Sequence, residues 1–168
     1  MHPELQAQWN SLEEQRIAFV NRVTALPTEL QSARPTPKDF SPVEVLMHFA
    51  LAEGVDLDMM KKTPPASLSQ KRAKANFIYR FAVNGLAQGK RIPTAPNMTP
   101  VGQITLQEAT EKWAEVRQQI AAYLEPLPGP NAPAIRHSLF GILSAADLIG
   151  LLDAHTKYHV LRFAVATK

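Results

Sequence analysis

Five histidines are spread through the 168 residues, and two of them, His155 and His159, stand four apart in the run LLDAHTKYHVLRF. That interval is about one helical turn, so both imidazoles leave a helix in the same direction from successive turns. They share a wheel sector with Leu148, Leu151 and Leu152, the sector expected to face a core. A third, His48, falls between Val55 and Met59 on the wheel of a segment that is apolar on nearly every side, where a charged imidazolium would be costly. Taken alone, each reads as a core imidazole bonded to a carbonyl. Taken together, a pair four apart and a third buried histidine on another helix favour one shared divalent ion, with one ring nitrogen of each on the metal and the other donating to an acceptor. Glu44, one turn before His48, is a candidate acceptor. Because each ligand must be neutral, affinity for the ion is expected to fall as the pH drops below about 6.5.

Other chemistries find no residues. The chain has no cysteine, which removes disulfides, thiolate ligands and a cysteine nucleophile. Any metal takes nitrogen or oxygen ligands, and three imidazoles suit zinc, nickel, copper or iron alike. Thr156 follows His155, so the glutamate of an H-E-x-x-H peptidase is missing, and no G-x-S-x-G elbow, Walker loop or G-x-G-x-x-G occurs. His137, in IRHSLFG, reads as a turn or capping residue, and His2 as solvated. A net charge of +3 is too small to imply nucleic acid, although Lys61, Lys62, Lys71, Arg72, Lys74 and Arg80 lie close along the chain; a solvated face and a loop account for them. No apolar run approaches the roughly 18 residues of a spanning helix, and the start of the chain lacks a signal-peptide pattern, so no membrane partner and a cytoplasmic location are expected.

The elements that must position the histidines are written in proline, glycine and capping residues. With 45% hydrophobic and 20% charged residues the composition is that of a globular chain, and residues 1–168 are expected to form a single domain. A first helix runs from about Pro3 to Ala25, with Leu5, Trp9, Leu12, Ile17, Val20 and Val23 at helical spacing and Pro27 beyond it. Ser41-Pro42-Val43-Glu44 is a capping box with proline at the first helical position, opening a helix to about Lys61, before Pro64-Pro65. A shorter one spans about Ser69 to Asn84, closed by Asn84-Gly85. Thr105 and Glu108 repeat the capping logic for a helix ending at Pro126, with Trp113, Val116, Ile120 and Leu124 as its stripe. Ser144 and Asp147 open the last, which continues to about Val165 and carries the histidine pair. No strand pattern competes, so no sheet is expected. Trp9 and Trp113 are expected in the core, and the segment from Ser69 to Asn84 outside a bundle of the other four.

Three stretches resemble the DinB/YfiT-like superfamily. FSPVEVLMHFALAEG is similar to that family's second-helix motif, an aromatic-Ser start followed by a histidine and then an acidic residue. RHSLFGILSAADLIGLLDAHTKYH resembles its histidine-glycine loop and its final helix with a His-x-x-x-His pair. The likeness spans nearly the whole chain. It implies an all-α, four-helix bundle of DinB/YfiT-like type with an additional shorter helix. It implies, too, that His48, His155 and His159 hold a nickel or zinc ion with a position open to water, the arrangement of a catalytic site. The resemblance further implies a metal-dependent enzyme of hydrolase or thiol S-transferase type, acting on a small molecule, with a low-molecular-weight thiol as candidate and a homodimer as the family's habit. The alternatives are a non-catalytic metal-binding or stress-response bundle and a metal-free bundle with a degenerate pocket. The chain departs from the family pattern at Ser138, where proline is usual, and at Arg162, where many relatives carry glutamine. Arg162 shares a face with His155 and either meets an anionic substrate or reaches out to water.

Overall fold

Local capping chemistry sets the helix starts. In the computed structural model, which describes residues 1–63, 68, 77–90 and 94–166 with side chains to 163, the Ser41 hydroxyl accepts from Glu44 N at 3.2 Å while the Glu44 carboxylate accepts from Ser41 N at 2.7 Å. Helix α3 (Pro42–Lys62) follows. Ser144 and Asp147 make the same reciprocal pair, with Asp147 N donating to Ser144 Oγ at 3.1 Å and Ser144 N to Asp147 Oδ2 at 3.2 Å, and open helix α6 (Ala145–Ala166). Thr105 caps helix α5 (Leu106–Leu124) by accepting from Glu108 N at 3.1 Å. His2 was expected to be solvated; instead its Nδ1 accepts from Glu4 N and caps helix α1 (Pro3–Thr24), because proline at the first helical position leaves the next free amide in reach of the preceding side chain. Two shorter helices, α2 (Thr28–Ser32) and α4 (Phe77–Ala87), are also present among the described residues.

Helices α1, α3, α5 and α6 form the bundle, with α3 against α5 and α1 against α6 as its closest pairs, while α4 lies on the outer side of α6. The expectation that the short basic segment sits outside the four-helix core therefore holds for its described part, Phe77 onward; its expected start at Ser69, with Lys71, Arg72 and Lys74, falls outside the described residues. The helix does not stop at Asn84-Gly85. It runs to Ala87 and ends at Gly89, whose φ of 71° supplies the left-handed turn that lets Lys90 N reach Gly85 O at 2.9 Å.

Trp9 and Trp113 are buried, with Trp113 stacked on Phe49 at 4.5 Å. The buried stripe of α1 is Leu5, Trp9, Leu12, Phe19 and Val23, and Ile17 is half exposed. A strict 4-3-4-3-4 spacing from Leu5 passes through Arg16 and Phe19, leaving Ile17 one position, or about 100°, off the face. The expected absence of any sheet is also corrected. Pro133–His137 (β1) and Gly141–Ser144 (β2) pair antiparallel, with Arg136 opposite Ile142 and His137 opposite Gly141. Gly141 takes a φ of 72° to close the hairpin. The strands are too short for a period of two to show in the sequence, and their stability comes from burying Ala134, Ile135 and Leu143 in the core beside α3 and α6. No helix among the described residues is long and apolar enough to cross a membrane.

Apart from a small group of Leu86, Ala154 and Tyr158, the core among the described residues falls into two apolar clusters. One gathers Leu5, Leu12, Leu57, Val116, Ile120 and Leu152 with the hairpin; the other gathers Phe19, Val23, Leu46, Phe49, Ala50 and Trp113. Between them lies a polar layer with a member from each bundle helix. Arg117 of α5 is buried and donates through Nε and Nη2 to Glu53 of α3 at 2.5 and 2.7 Å, through Nη1 to Leu12 O and Glu13 Oε1 of α1 at 3.3 and 3.2 Å, and through Nη2 to Thr156 Oγ1 of α6 at 3.3 Å. Its guanidinium also lies over the Trp113 ring at 5.1 Å. Burial disfavours that charge, but Glu53 and then Glu13 more than restore it, so Arg117 stays cationic.

Candidate metal centre

Two helices bring the three histidines to one place. His155 and His159 leave α6 one turn apart with ring centroids 4.9 Å from each other, and His48 meets them from α3 at 5.0 Å from each. One nitrogen from each ring falls in a group within 4.8 Å. His48 Nδ1 lies 2.7 Å from Met98 O, a carbonyl at the end of a short 3-10 turn, Pro96–Met98. A carbonyl only accepts, so the proton is on Nδ1 and the Nε2 lone pair points at His155 Nε2, 3.1 Å away. Phe40 stands 5.2 Å from His48, and Phe49 stands 5.2 and 5.1 Å from His155 and His159, fixing the rings against rotation.

This donor set fits a divalent ion. Two nitrogens that each lie 2.0–2.1 Å from one tetrahedral zinc are roughly 3.3 Å apart, close to the 3.1 Å between His48 and His155. The lone pairs are also kept free of protons. Burial pushes His155 down to about 3, helped by the fields of His48 and Arg117. Burial likewise holds His159 well below its usual range, with His155, His48 and Arg162 adding to it, and it lowers His48 against the opposing bond to Met98. Neutral imidazoles packed this closely are the form that ligates metal.

The same shifts set how the metal-free protein responds to acid. Each folded-state pKa lies below the unfolded value of about 6.5, so the unfolded chain binds more protons in the interval between and stability falls as the pH is lowered. We expect urea midpoints measured with chelator present to drop from pH 7 to pH 5, and to drop less in a His155→Phe variant. Glu53 and Asp56, both pushed up by burial, act in the opposite sense, which is why the difference between the two proteins is the quantity to read. Equal slopes would mean that His155 is not held neutral by the fold.

Tertiary contacts bear on the other residues singled out in the sequence, and one assignment changes. Glu44 is not the acceptor for His48. Its carboxylate is taken by its own capping box and by Arg34, whose Nε donates to it at 2.8 Å. The acceptor is instead the Met98 carbonyl, which no sequence pattern marks because every residue carries one. His137 has the expected turn role, its Nδ1 accepting from Leu139 N at 3.1 Å and Phe140 N at 3.2 Å, and it additionally faces Asp56 Oδ1 at 3.4 Å. Arg162 pairs with Asp39 Oδ1 at 2.9 Å, lies over the Tyr158 ring at 5.6 Å and lines the cavity, while 41% of its side chain stays open to solvent. Thr156, about 100° round α6 from His155, donates to Leu152 O at 2.9 Å and accepts from Arg117 Nη2 at 3.3 Å, so the position between the histidines serves the polar layer.

His48, His155 and His159 open into a cavity of about 1050 Å³. Its walls come from α3, α4, α6, the hairpin and the segment after α1, and Arg34, Asp39, Arg162, Glu53, Asp56 and His137 are among its polar members.

A helical bundle carrying three convergent histidines on its second and last long helices, at the wall of a large cavity, defines a class of metal-site bundles. The chain belongs to the DinB superfamily, whose family model matches residues 11–161 and so includes all three histidines. Comparison with curated proteins and with solved structures gave no match.

Proposed function

We propose that the protein is a metal-dependent enzyme of hydrolase or thiol S-transferase type, with His48, His155 and His159 holding one nickel or zinc ion. The observation that carries this reading is the convergence of three neutral imidazole nitrogens at the wall of a cavity large enough for a small-molecule substrate. His48, His155 and His159 would hold the ion, and a divalent ion there would lower the pKa of a water or a low-molecular-weight thiol. The chain's own residues supply the surroundings. Phe40 and Phe49 shield the ligands from bulk water, Met98 O orients His48, and Arg162, tethered to Asp39, is placed to meet an anionic group of the substrate.

A second reading, a non-catalytic metal-binding bundle, has one observation in its favour. Among the described residues the hydrogen bonds of the three imidazoles run to Met98 O and to one another rather than to a carboxylate. Elemental analysis of untagged protein, followed by a panel of thiol conjugation and hydrolysis assays with and without chelator, decides between them. The enzyme reading expects close to one nickel or zinc per chain and turnover that chelation abolishes. Bound metal with no turnover across the panel would leave the second reading, and no bound metal after reconstitution would end both.

A further inference from the structure

The cavity has a second polar end. Asp56 follows His48 by eight residues on α3, which places it about 12 Å further along the axis, and both residues line the cavity. About a tenth of the Asp56 side chain remains accessible. Its one close partner among the described residues is His137 Nε2 at 3.4 Å. The other ring nitrogen of His137 accepts two backbone N–H groups, from Leu139 and Phe140, and a nitrogen that accepts carries no proton. His137 is thus held with Nε2 toward Asp56, clamped in place by the hairpin turn and by Phe140 stacked on it at 4.4 Å.

Glu53, one turn earlier on the same helix, shows the contrast. It lines the same cavity, yet its two oxygens are both taken by the Arg117 guanidinium. An ionised carboxylate removed from water is costly unless a cation compensates it; the fold provides a permanently charged guanidinium for Glu53, whereas Asp56 has only the His137 imidazole at 3.4 Å. Burial accordingly pushes the Asp56 carboxyl up, only partly opposed by His137. The cavity wall also carries Leu151, Leu152, Phe140 and Leu86, while Glu53, which lines it too, has both oxygens bonded to Arg117.

We propose that Asp56 is a substrate-positioning residue that receives a primary ammonium group, on a ligand whose apolar middle follows this wall and whose opposite end reaches the three histidines. The inference rests on the metal reading only for what lies at the histidine end; the ammonium site itself needs no metal.

The test is accordingly made first on metal-free, full-length protein, by calorimetric titration with n-hexylammonium, n-hexanol and n-hexanoate, which share a chain and differ in head group. Wild type is expected to bind the ammonium at least tenfold more tightly than either other ligand. Asp56→Asn, which keeps the size and the hydrogen bond to His137, is expected to abolish that preference while leaving hexanol binding unchanged. Equal affinities in wild type, no binding of the ammonium, or a preference retained in Asp56→Asn would each overturn the proposal, and the wild-type comparison stands even if the variant fails to fold. Metal-loaded protein is then titrated with aminoalkanethiols and alkanethiols of graded chain length. An amine advantage that peaks at one length supports the two-ended ligand, and one independent of length overturns it. Failure to load metal leaves the metal-free comparison to decide the ammonium site, so the two readings fail separately.

Discussion

Alanine in place of His48, His155 or His159 is expected to lower the affinity for a divalent ion more than about a hundredfold, the upper end of what losing a mere supporting contact to a ligand costs, while His137→Ala leaves it unchanged. His48 stands more than a hundred residues before the other two in the chain, yet the three nitrogens fall within 4.8 Å, and removing any one leaves two ligands that do not define a site. His137 is the internal control. It is a cavity histidine of the same chemistry, but its ring nitrogens are committed to the hairpin turn and to Asp56. The dependence on pH follows from the direction of the shifts. Protons compete for an imidazole only near its own pKa, and burial lowers all three, so the fall in affinity should begin below the value of about 6.5 read from the sequence. Metal content and calorimetric affinity for the four variants, each first shown to be folded, provide the check. Wild-type affinity in His155→Ala or His159→Ala would reduce the histidines to core residues bonded to one another.

The second large effect concerns stability. Arg117→Met is expected to destabilise the protein by about 3–5 kcal/mol, because it leaves the Glu53 carboxylate buried without its cation. For a chain of this length that is a fall in Tm of roughly 6–20 °C. Adding Glu53→Gln to Arg117→Met should recover part of the loss, since the second change removes the stranded charge, and a double variant less damaging than the single identifies the pair as the cause. Thermal melting of the three proteins measures it. A single variant that melts like wild type would show that the layer joining the four helices through Glu13, Glu53, Arg117 and Thr156 contributes nothing net.

Signals for that layer were present in the sequence, although its meaning was not. Arg117 stands four residues after Trp113 on the apolar stripe of α5, and Glu53 interrupts a helix that is apolar on almost every side. A charged residue at a core position is an anomaly that asks for a partner. Which partner it finds depends on how α3 and α5 are set against each other, a relation between segments more than sixty residues apart. The hairpin is a similar case. Its strands are four and five residues long and follow a Pro-Gly-rich run, so loop was the natural reading, and only docking on α3 and α6 makes them strands.

By itself the sequence determined what local chemistry can determine. Capping residues, prolines and apolar spacing located the starts of α3, α5 and α6 through contacts over a few residues, and the interval between His155 and His159 put both on one face because the helical repeat requires it. Tertiary structure decided whatever joins distant segments. It brought His48 to that pair, gave it Met98 O rather than Glu44, set Asp56 against His137, and placed Arg162 beside the centre with Asp39 as its partner. The physical reason is that a side chain's direction along its own helix follows from backbone geometry, whereas the group it meets follows from how helices pack and which backbone carbonyls a connecting loop presents, and a carbonyl has no letter of its own.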